Sequence, residues 1–171
     1  MLELFTHIST FVFDVDGVLT DGNLFVLPDG VMARRMNIKD GYALQLAIKK
    51  GYQVMIISGG DSPEVKDRLI KLGVKDVWMQ TQDKSAVLKN YMQEKRIAKE
   101  SVLYMGDDMP DLNVMRLTGL PCCPADAVQE IKAISLYISH LKGGEGCARD
   151  VIEKVMKLQG NWKEDDTVKA Q

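Results

Sequence analysis

Histidine and cysteine are scarce in this chain, and their scarcity narrows the chemistry at once. The two histidines, His7 and His140, have no neighbours that suggest catalysis. The three cysteines, Cys122, Cys123 and Cys147, are spaced neither as a disulfide framework nor as metal ligands. They read as small buried apolar residues and fit a reducing cytoplasm. Long apolar runs are also missing: none approaches the roughly 20 residues that span a bilayer. The N-terminus has neither the basic region nor the cleavage site of a signal peptide. Nor does one sign of charge dominate. Lys and Arg total 22 against 24 Asp and Glu, a net charge of −2, so no basic face marks a nucleic-acid partner. With 171 residues, 46% hydrophobic, the chain is long enough for one domain with a real core. The ten methionines read as core filler.

What is present is concentrated in one stretch, Phe11-Val12-Phe13-Asp14-Val15-Asp16-Gly17-Val18-Leu19-Thr20-Asp21-Gly22. An apolar run stops at two carboxylates two residues apart, and Gly17 lets the chain turn immediately. Strand-forming residues thus carry the acids to a sheet edge, where carboxylates at close quarters demand a positive partner.

Strand and helix signals alternate along the rest of the chain. Residues 10–14 are predicted as the first strand, and 24–27 and 31–37 as a β-hairpin around Pro28-Asp29-Gly30. Helices are expected over 39–50, from Asp61 or Ser62 to Gly73, over 84–95, 109–117 and 125–133, and roughly over 147–158. The remaining strands are predicted at 53–58, 77–79, 101–105 and 120–123, with a short sixth at 136–138. Val54-Met55-Ile56-Ile57 has the continuous apolar character of a buried parallel strand. Such alternation means an α/β doubly wound parallel sheet with helices on both faces, in one domain over residues 1–160. A polar tail over 161–171 is expected to fray.

Ligands bind at the carboxyl ends of the strands in such sheets. Four polar clusters fall there: Asp14 and Asp16, Ser58 and Gly59, the region of Lys84, and Asp107, Asp108 and Asp111. This set suits the cleavage of a phosphate ester. Asp14, Asp16 and Asp107 are hard oxygen ligands for Mg²⁺. Lys84 offers a point charge to a phosphate oxygen, and Ser58 with nearby backbone N–H groups can hold another. Asp14, at the strand tip, is the better nucleophile, forming an aspartyl-phosphate. Asp16, past the start of the turn, is the better acid and base. Crowding among carboxylates is expected to keep it protonated near neutral pH. Asp108 and Asp111 either cap and orient their neighbours or touch the metal themselves.

The series Asp14-x-Asp-Gly-Val-x-Thr-Asp-Gly22, Ser58-Gly59, Lys84 and Gly106-Asp-Asp-x-x-Asp111 resembles the haloacid dehalogenase superfamily of phosphatases from about Phe11 to Asp150. The resemblance implies a Rossmann-like fold, Asp14 as nucleophile, Asp16 as acid and base, and Mg²⁺ on Asp14, Asp107 and the backbone carbonyl of Asp16. Ser58 and Lys84 match the phosphate-holding residues. Only 42 residues separate Asp16 from Ser58 and 26 separate Ser58 from Lys84, too few for the cap domain of many members. Within the superfamily, the hairpin, Asn37-Ile-Lys-Asp-Gly41, Arg68 with Leu72-Gly73-Val74, and Gly143-Gly-Glu-Gly-Cys-Ala-Arg149 are similar to the capless 3-deoxy-D-manno-octulosonate 8-phosphate phosphatases. Those are tetramers that make a precursor of lipopolysaccharide. The resemblance implies a homo-oligomer with the hairpin flap at its interface, covering an otherwise open site. It also implies a substrate pocket that includes Asp16, Asn37, Ile38, Lys39, Asp40 and Gly41, with Arg68 reaching a neighbouring subunit's site. An arginine suits the carboxylate of a sugar acid.

Gly60 stands where many of these enzymes have arginine, Gln45 replaces a basic residue, and Asp150 stands where glutamate is common. These departures touch the sugar and not the phosphate chemistry, so a nine-carbon keto-acid sugar 9-phosphate is the alternative substrate. The Gly143–Gly146 loop is either a flexible start to the last helix or a backbone approach to substrate or subunit. Two readings of another class remain: a phospho-acceptor signalling module, or an inactive regulatory subunit. Receiver modules place an adjacent acidic pair first, whereas here Asp107-Asp108 comes last. Retention of all four clusters weighs against an idle subunit.

Overall fold

The computed structural model describes residues 2–168. Six parallel strands form its sheet: β1 (Thr10–Phe13), β4 (Gln53–Ile57), β5 (Asp76–Trp78), β6 (Val102–Met105), β7 (Leu120–Cys123) and β8 (Tyr137–Ile138), in the order β5-β4-β1-β6-β7-β8. The remaining pair, β2 (Phe25–Val26) and β3 (Met32–Ala33), is the expected antiparallel hairpin, shorter than the sequence pattern suggests. From β1 the chain winds outward through β4 to β5, then returns to β6 on the other side and continues to β8. The reversal falls between β1 and β6, where ligand crevices of open α/β sheets open.

Period-two alternation divides the core into two layers. Phe11, Phe13, Val54, Ile56 and Leu103 face one side. There they meet α1 (Leu2–Thr6), α2 (Ile38–Lys49), α3 (Pro63–Lys71) and α7 (Cys147–Leu158). Val12, Met55, Ile57 and Tyr104 face α4 (Lys84–Lys95), α5 (Leu112–Met115) and α6 (Gln129–Ile134). Full burial of each large apolar side chain contributes on the order of 1.5–3 kcal/mol. No second domain follows either of the first two motifs: a hairpin and α2 occupy the first gap, and α3 and β5 the second.

Beyond the shorter hairpin, the structure departs from the sequence pattern in four places. The N-terminal α1 was not anticipated; its Phe5 packs edge-on against Tyr137, 5.5 Å between centroids. The helix expected over 109–117 is a 3₁₀ turn, Met109–Asp111, followed by the short α5. Asp111 is turned inward at this junction and is fully buried. The helix expected over 125–133 begins only at Gln129. The tail does not fray from Gly160. Trp162 meets Tyr42 edge-on at 6.3 Å and lies under the Arg149 guanidinium at 5.4 Å, and Val168 is buried. These apolar residues anchor a segment whose charged neighbours dominate its composition; residues 169–171 lie outside the described residues.

The Gly143–Gly146 loop has a role that neither sequence reading included. Its backbone packs against the loop that follows β1. Gly144 N–H donates to the Val18 carbonyl at 2.9 Å, and the Cys147 thiol reaches the same oxygen at 3.2 Å. A Cβ on Gly143 would lie 2.0 Å from the Gly17 carbonyl oxygen. Gly143→Ala must therefore push the aspartate-bearing loop aside. It is expected to cost about 1–3 kcal/mol, a fall of roughly 3–10 °C in Tm for a chain of this size. An unchanged melting curve would show that the loops are not mutually constrained.

Candidate active site

Asp14 extends the parallel ladder by one step, its N–H donating to the Met105 carbonyl at 3.1 Å. The chain then turns sharply. Gly17 has φ +84°, and a Cβ there would strike the Asp107 carboxylate at 2.0 Å, so both the turn and the neighbouring acid require glycine. Thr20 closes the loop: its buried hydroxyl accepts from the N–H groups of Gly17 and Gly22, at 3.3 and 3.2 Å.

Asp14, Asp16, Ser58, Gly59, Lys84, Asp107 and Asp108 line one cleft of about 420 Å³, while Asp111, also expected at this rim, is buried beneath it. Gly22, Gly60, Thr81, Gln82 and Pro110 complete it. Lys84 opens α4, whose N-cap is Asp83, and its buried ammonium lies 2.9 Å from Asp14 and 2.8 Å from Asp111. The Ser58 hydroxyl accepts from Gly60 N–H at 3.1 Å.

Three carboxylates, Asp14, Asp107 and Asp111, place oxygens within 4.8 Å of one another. Their surroundings separate their roles. Asp111 accepts from Lys84 and from the Tyr104 hydroxyl (2.7 Å) on one oxygen and from Asp107 N–H (3.1 Å) on the other. It is an orienting group, holding Lys84 and the backbone of Asp107 in place. Asp108 accepts from Met109 N–H at 2.8 Å, as a helix cap does. Asp14 and Asp107 are left facing one another across the cleft. Burial, reinforced by the charge of Asp111, pushes Asp14 up to about 8 and Asp107 up to about 7. One buried ammonium among three carboxylates leaves an excess of negative charge, and the two raised carboxyls are hard oxygen donors. They fit a small divalent cation.

The Asp16 carboxylate lies outside this cluster. It is held by Arg34, Nε to Oδ1 at 2.6 Å and Nη2 to Oδ2 at 3.2 Å. The expected crowding of Asp16 by other carboxylates is therefore replaced by a guanidinium, and the crowding falls on Asp14 and Asp107.

The expected sugar-binding segment does not line this cleft. Asn37 caps α2 through Lys39 N–H (2.9 Å), and its amide donates to the Gly144 carbonyl (3.3 Å). Asp40 is buried, accepts from Arg149 N–H at 2.7 Å and is pushed up to about 6 by burial. Gly41 is buried, and Lys39 borders two other hollows together with Arg149. Ile38 and Arg68 line a separate hollow of about 380 Å³ between the hairpin and α3. Arg34, Tyr104 and Thr20 were missed from sequence. The Arg34-Arg35 pair closing a hairpin strand was the available signal for Arg34. Tyr104 was signalled only by a polar tip within a buried strand.

The fold and rim define a class: a doubly wound α/β hydrolase with paired aspartates at the β1 tip and a further acidic cluster at the neighbouring strand. A family model described as haloacid dehalogenase-like hydrolase matches residues 73–149. The 3-deoxy-D-manno-octulosonate 8-phosphate phosphatase of Salmonella typhi is 32% identical over 158 residues, 92% of this chain and 84% of that protein. The solved structure of the Moraxella catarrhalis enzyme of the same name, in complex with a magnesium ion, a phosphate ion and a KDO molecule, is 31% identical. It has a TM-score of 0.90 and covers 94% of this chain and 92% of that one. The cobalt-bound Haemophilus influenzae enzyme is 29% identical, with a TM-score of 0.87 and 92% coverage of each chain. This chain belongs to the 3-deoxy-D-manno-octulosonate 8-phosphate phosphatase family of haloacid dehalogenase-like hydrolases.

A pH dependence follows from the two raised carboxyls. Folded-state values above the unfolded ones stabilise the metal-free chain at low pH, and that contribution is lost as pH rises from about 4 to about 8. A cation must displace those protons. The rise in Tm caused by Mg²⁺ is therefore expected to be small at pH 5 and to grow toward pH 8. Equal shifts at both pH values, measured by thermal melting against a chelated control, would remove Asp14 and Asp107 as the ligands.

Proposed function

We propose that this chain is a Mg²⁺-dependent phosphatase releasing phosphate from 3-deoxy-D-manno-octulosonate 8-phosphate, with residues 1–160 as a single catalytic domain. The observation that carries the chemistry is the Lys84 ammonium seated against Asp14 in a cleft rimmed by Asp107, Ser58 and Asp16. Family membership carries the sugar.

In the proposed reaction an Asp14 carboxylate oxygen attacks phosphorus, and the bond from phosphorus to the leaving sugar oxygen breaks. Asp16, once clear of Arg34 and after taking a proton from water, gives that oxygen a proton. Asp16 then takes a proton from water as the water attacks the aspartyl-phosphate, releasing inorganic phosphate and restoring Asp14. Lys84 neutralises one phosphate oxygen, while the Ser58 hydroxyl and the backbone around Gly59 hold another. Mg²⁺ held by Asp14, Asp107 and the backbone carbonyl of Asp16 would offset the charge that repels a carboxylate from a phosphate. Asp111 and Asp108 position this machinery.

The sugar-facing wall is proposed to need a second copy. Phe25 and Val26 of the hairpin are 61% and 73% exposed, beside exposed Leu24, Leu27, Val31 and Met32. Such a patch suits an interface between copies, in a tetramer by family resemblance. In that arrangement Asn37, Ile38, Lys39, Asp40, Gly41 and Arg68 contribute to substrate pockets, Arg68 to a neighbour's. Among the described residues no helix is long and apolar enough to cross a membrane.

A phosphate-release panel with purified protein and Mg²⁺ tests this reading. The eight-carbon keto-acid sugar 8-phosphate is expected to have a higher kcat/KM than nine-carbon 9-phosphates. The reverse order would install the alternative substrate, and no release from either would support a non-catalytic role. Asp14→Asn is expected to lower turnover by roughly 10³-fold or more while the chain still melts cooperatively. Residual activity near that of the unsubstituted enzyme would remove Asp14 as nucleophile.

A further inference from the structure

Arg34 occupies a position that the reaction above leaves unexplained. It follows β3 in the hairpin, yet its side chain is only 5% exposed, because its guanidinium points inward onto Asp16. Nε and Nη2 grip the two carboxylate oxygens, and Nη1 donates to the Met32 carbonyl at 3.2 Å. The absence of a side chain at position 60 makes room for this pair. A Cβ on Gly60 would fall 2.8 Å from Asp16 Oδ2 and 3.1 Å from Arg34 Nη2. Asp61 and Glu64, at the start of α3, add negative charge around the guanidinium. Arg34 also borders the hollow that contains Ile38 and Arg68. It therefore stands between the aspartate cleft and the hollow beside the hairpin.

Two constraints meet here. A carboxylate whose two oxygens are both gripped by a guanidinium is poorly placed to reach a leaving oxygen, so the pair must open during turnover. The fork that holds it is matched to a carboxylate, as its present occupant demonstrates. A sugar-acid substrate carries a carboxylate in addition to its phosphate. Its phosphate is served on the other wall by Lys84 and Ser58, which leaves the guanidinium for the acid group.

We propose that Arg34 is a specificity-determining residue: its guanidinium passes from Asp16 to the substrate's carboxylate, and Asp16 is thereby freed for the leaving oxygen. The exchange itself changes no covalent bond, and the freed Asp16 carboxylate takes a proton from water before it serves the leaving oxygen. The proposal rests on the sugar-acid phosphatase reading and assigns that selectivity to this chain's own hairpin. A phosphate ester without a carboxylate cannot complete the exchange and should be turned over poorly.

The test compares kcat/KM for the eight-carbon sugar-acid phosphate with that for p-nitrophenyl phosphate, both with Mg²⁺, in the unsubstituted enzyme, Arg34→Ala and Arg34→Lys. The ratio of the two values is expected to fall at least tenfold in Arg34→Ala, mainly through KM for the sugar acid. Arg34→Lys should recover only part of it, since an ammonium cannot grip two oxygens in one plane. An unchanged ratio in Arg34→Ala overturns the proposal, whether both substrates decline together or neither does. If Arg34→Ala does not fold, Arg34→Lys decides alone: a reduced ratio supports the exchange and an unchanged one overturns it. Failure of the underlying reading is distinguishable, because the unsubstituted enzyme would then hydrolyse p-nitrophenyl phosphate and no keto-acid sugar phosphate.

Discussion

The ammonium of Lys84, buried between Asp14 and Asp111, is the contact on which the rest of the site depends. Taking carboxylates out of water is costly unless they are paired, and removing one partner of such a pair leaves an uncompensated buried charge. Here one cation serves two acids from different strands. Asp14 ends β1, Asp111 follows β6, and Lys84 starts the helix after β5. The ion triad therefore joins three segments across the sheet's switch point. Tyr104, donating to Asp111 from within β6, extends the network into the second core layer. Asp14 and Asp107 are the carboxyls that this one cation leaves uncompensated, and they fit a divalent cation.

Much of this was legible in the chain because local chemistry specified it. The apolar run into Asp14 and Gly17 beyond it carry a structural reason visible within a few residues, whereas Lys84 is marked only by its place in the series of motifs. The strand–helix alternation predicted the sheet, and the short gaps between motifs predicted the absence of a cap. What was not legible depends on long-range geometry. The Asp16–Arg34 pair spans eighteen positions and requires a hairpin folded back onto the rim. The inward turn of Asp111 breaks a helix that periodicity favours. Trp162 and Val168 pack because of a surface presented by α2 and α7, and a charged local composition concealed it.

Two loops constrain the aspartate turn from opposite sides. The Gly143–Gly146 loop lies against its backbone, while the hairpin holds one of its carboxylates through Arg34. The first contact is steric and fixed. The second is ionic and exchangeable, which suits an element that must respond to substrate. The exposed apolar face of the hairpin links that response to a neighbouring copy in the proposed assembly. Reaction type is thus specified by residues at the strand tips, and selectivity by a flap of two short strands.

The central claim is that Asp14 becomes covalently phosphorylated. Its most direct test uses Asp16→Ala, which should load with phosphate but hydrolyse the aspartyl-phosphate slowly. With p-nitrophenyl phosphate, whose leaving group needs no proton, the enzyme would be acid-quenched and its peptides examined by mass spectrometry. A burst of p-nitrophenol and a phosphoryl group on the peptide containing Asp14 are expected. Phosphate release with no phosphorylated peptide, or a phosphoryl group on a peptide lacking Asp14, would contradict it.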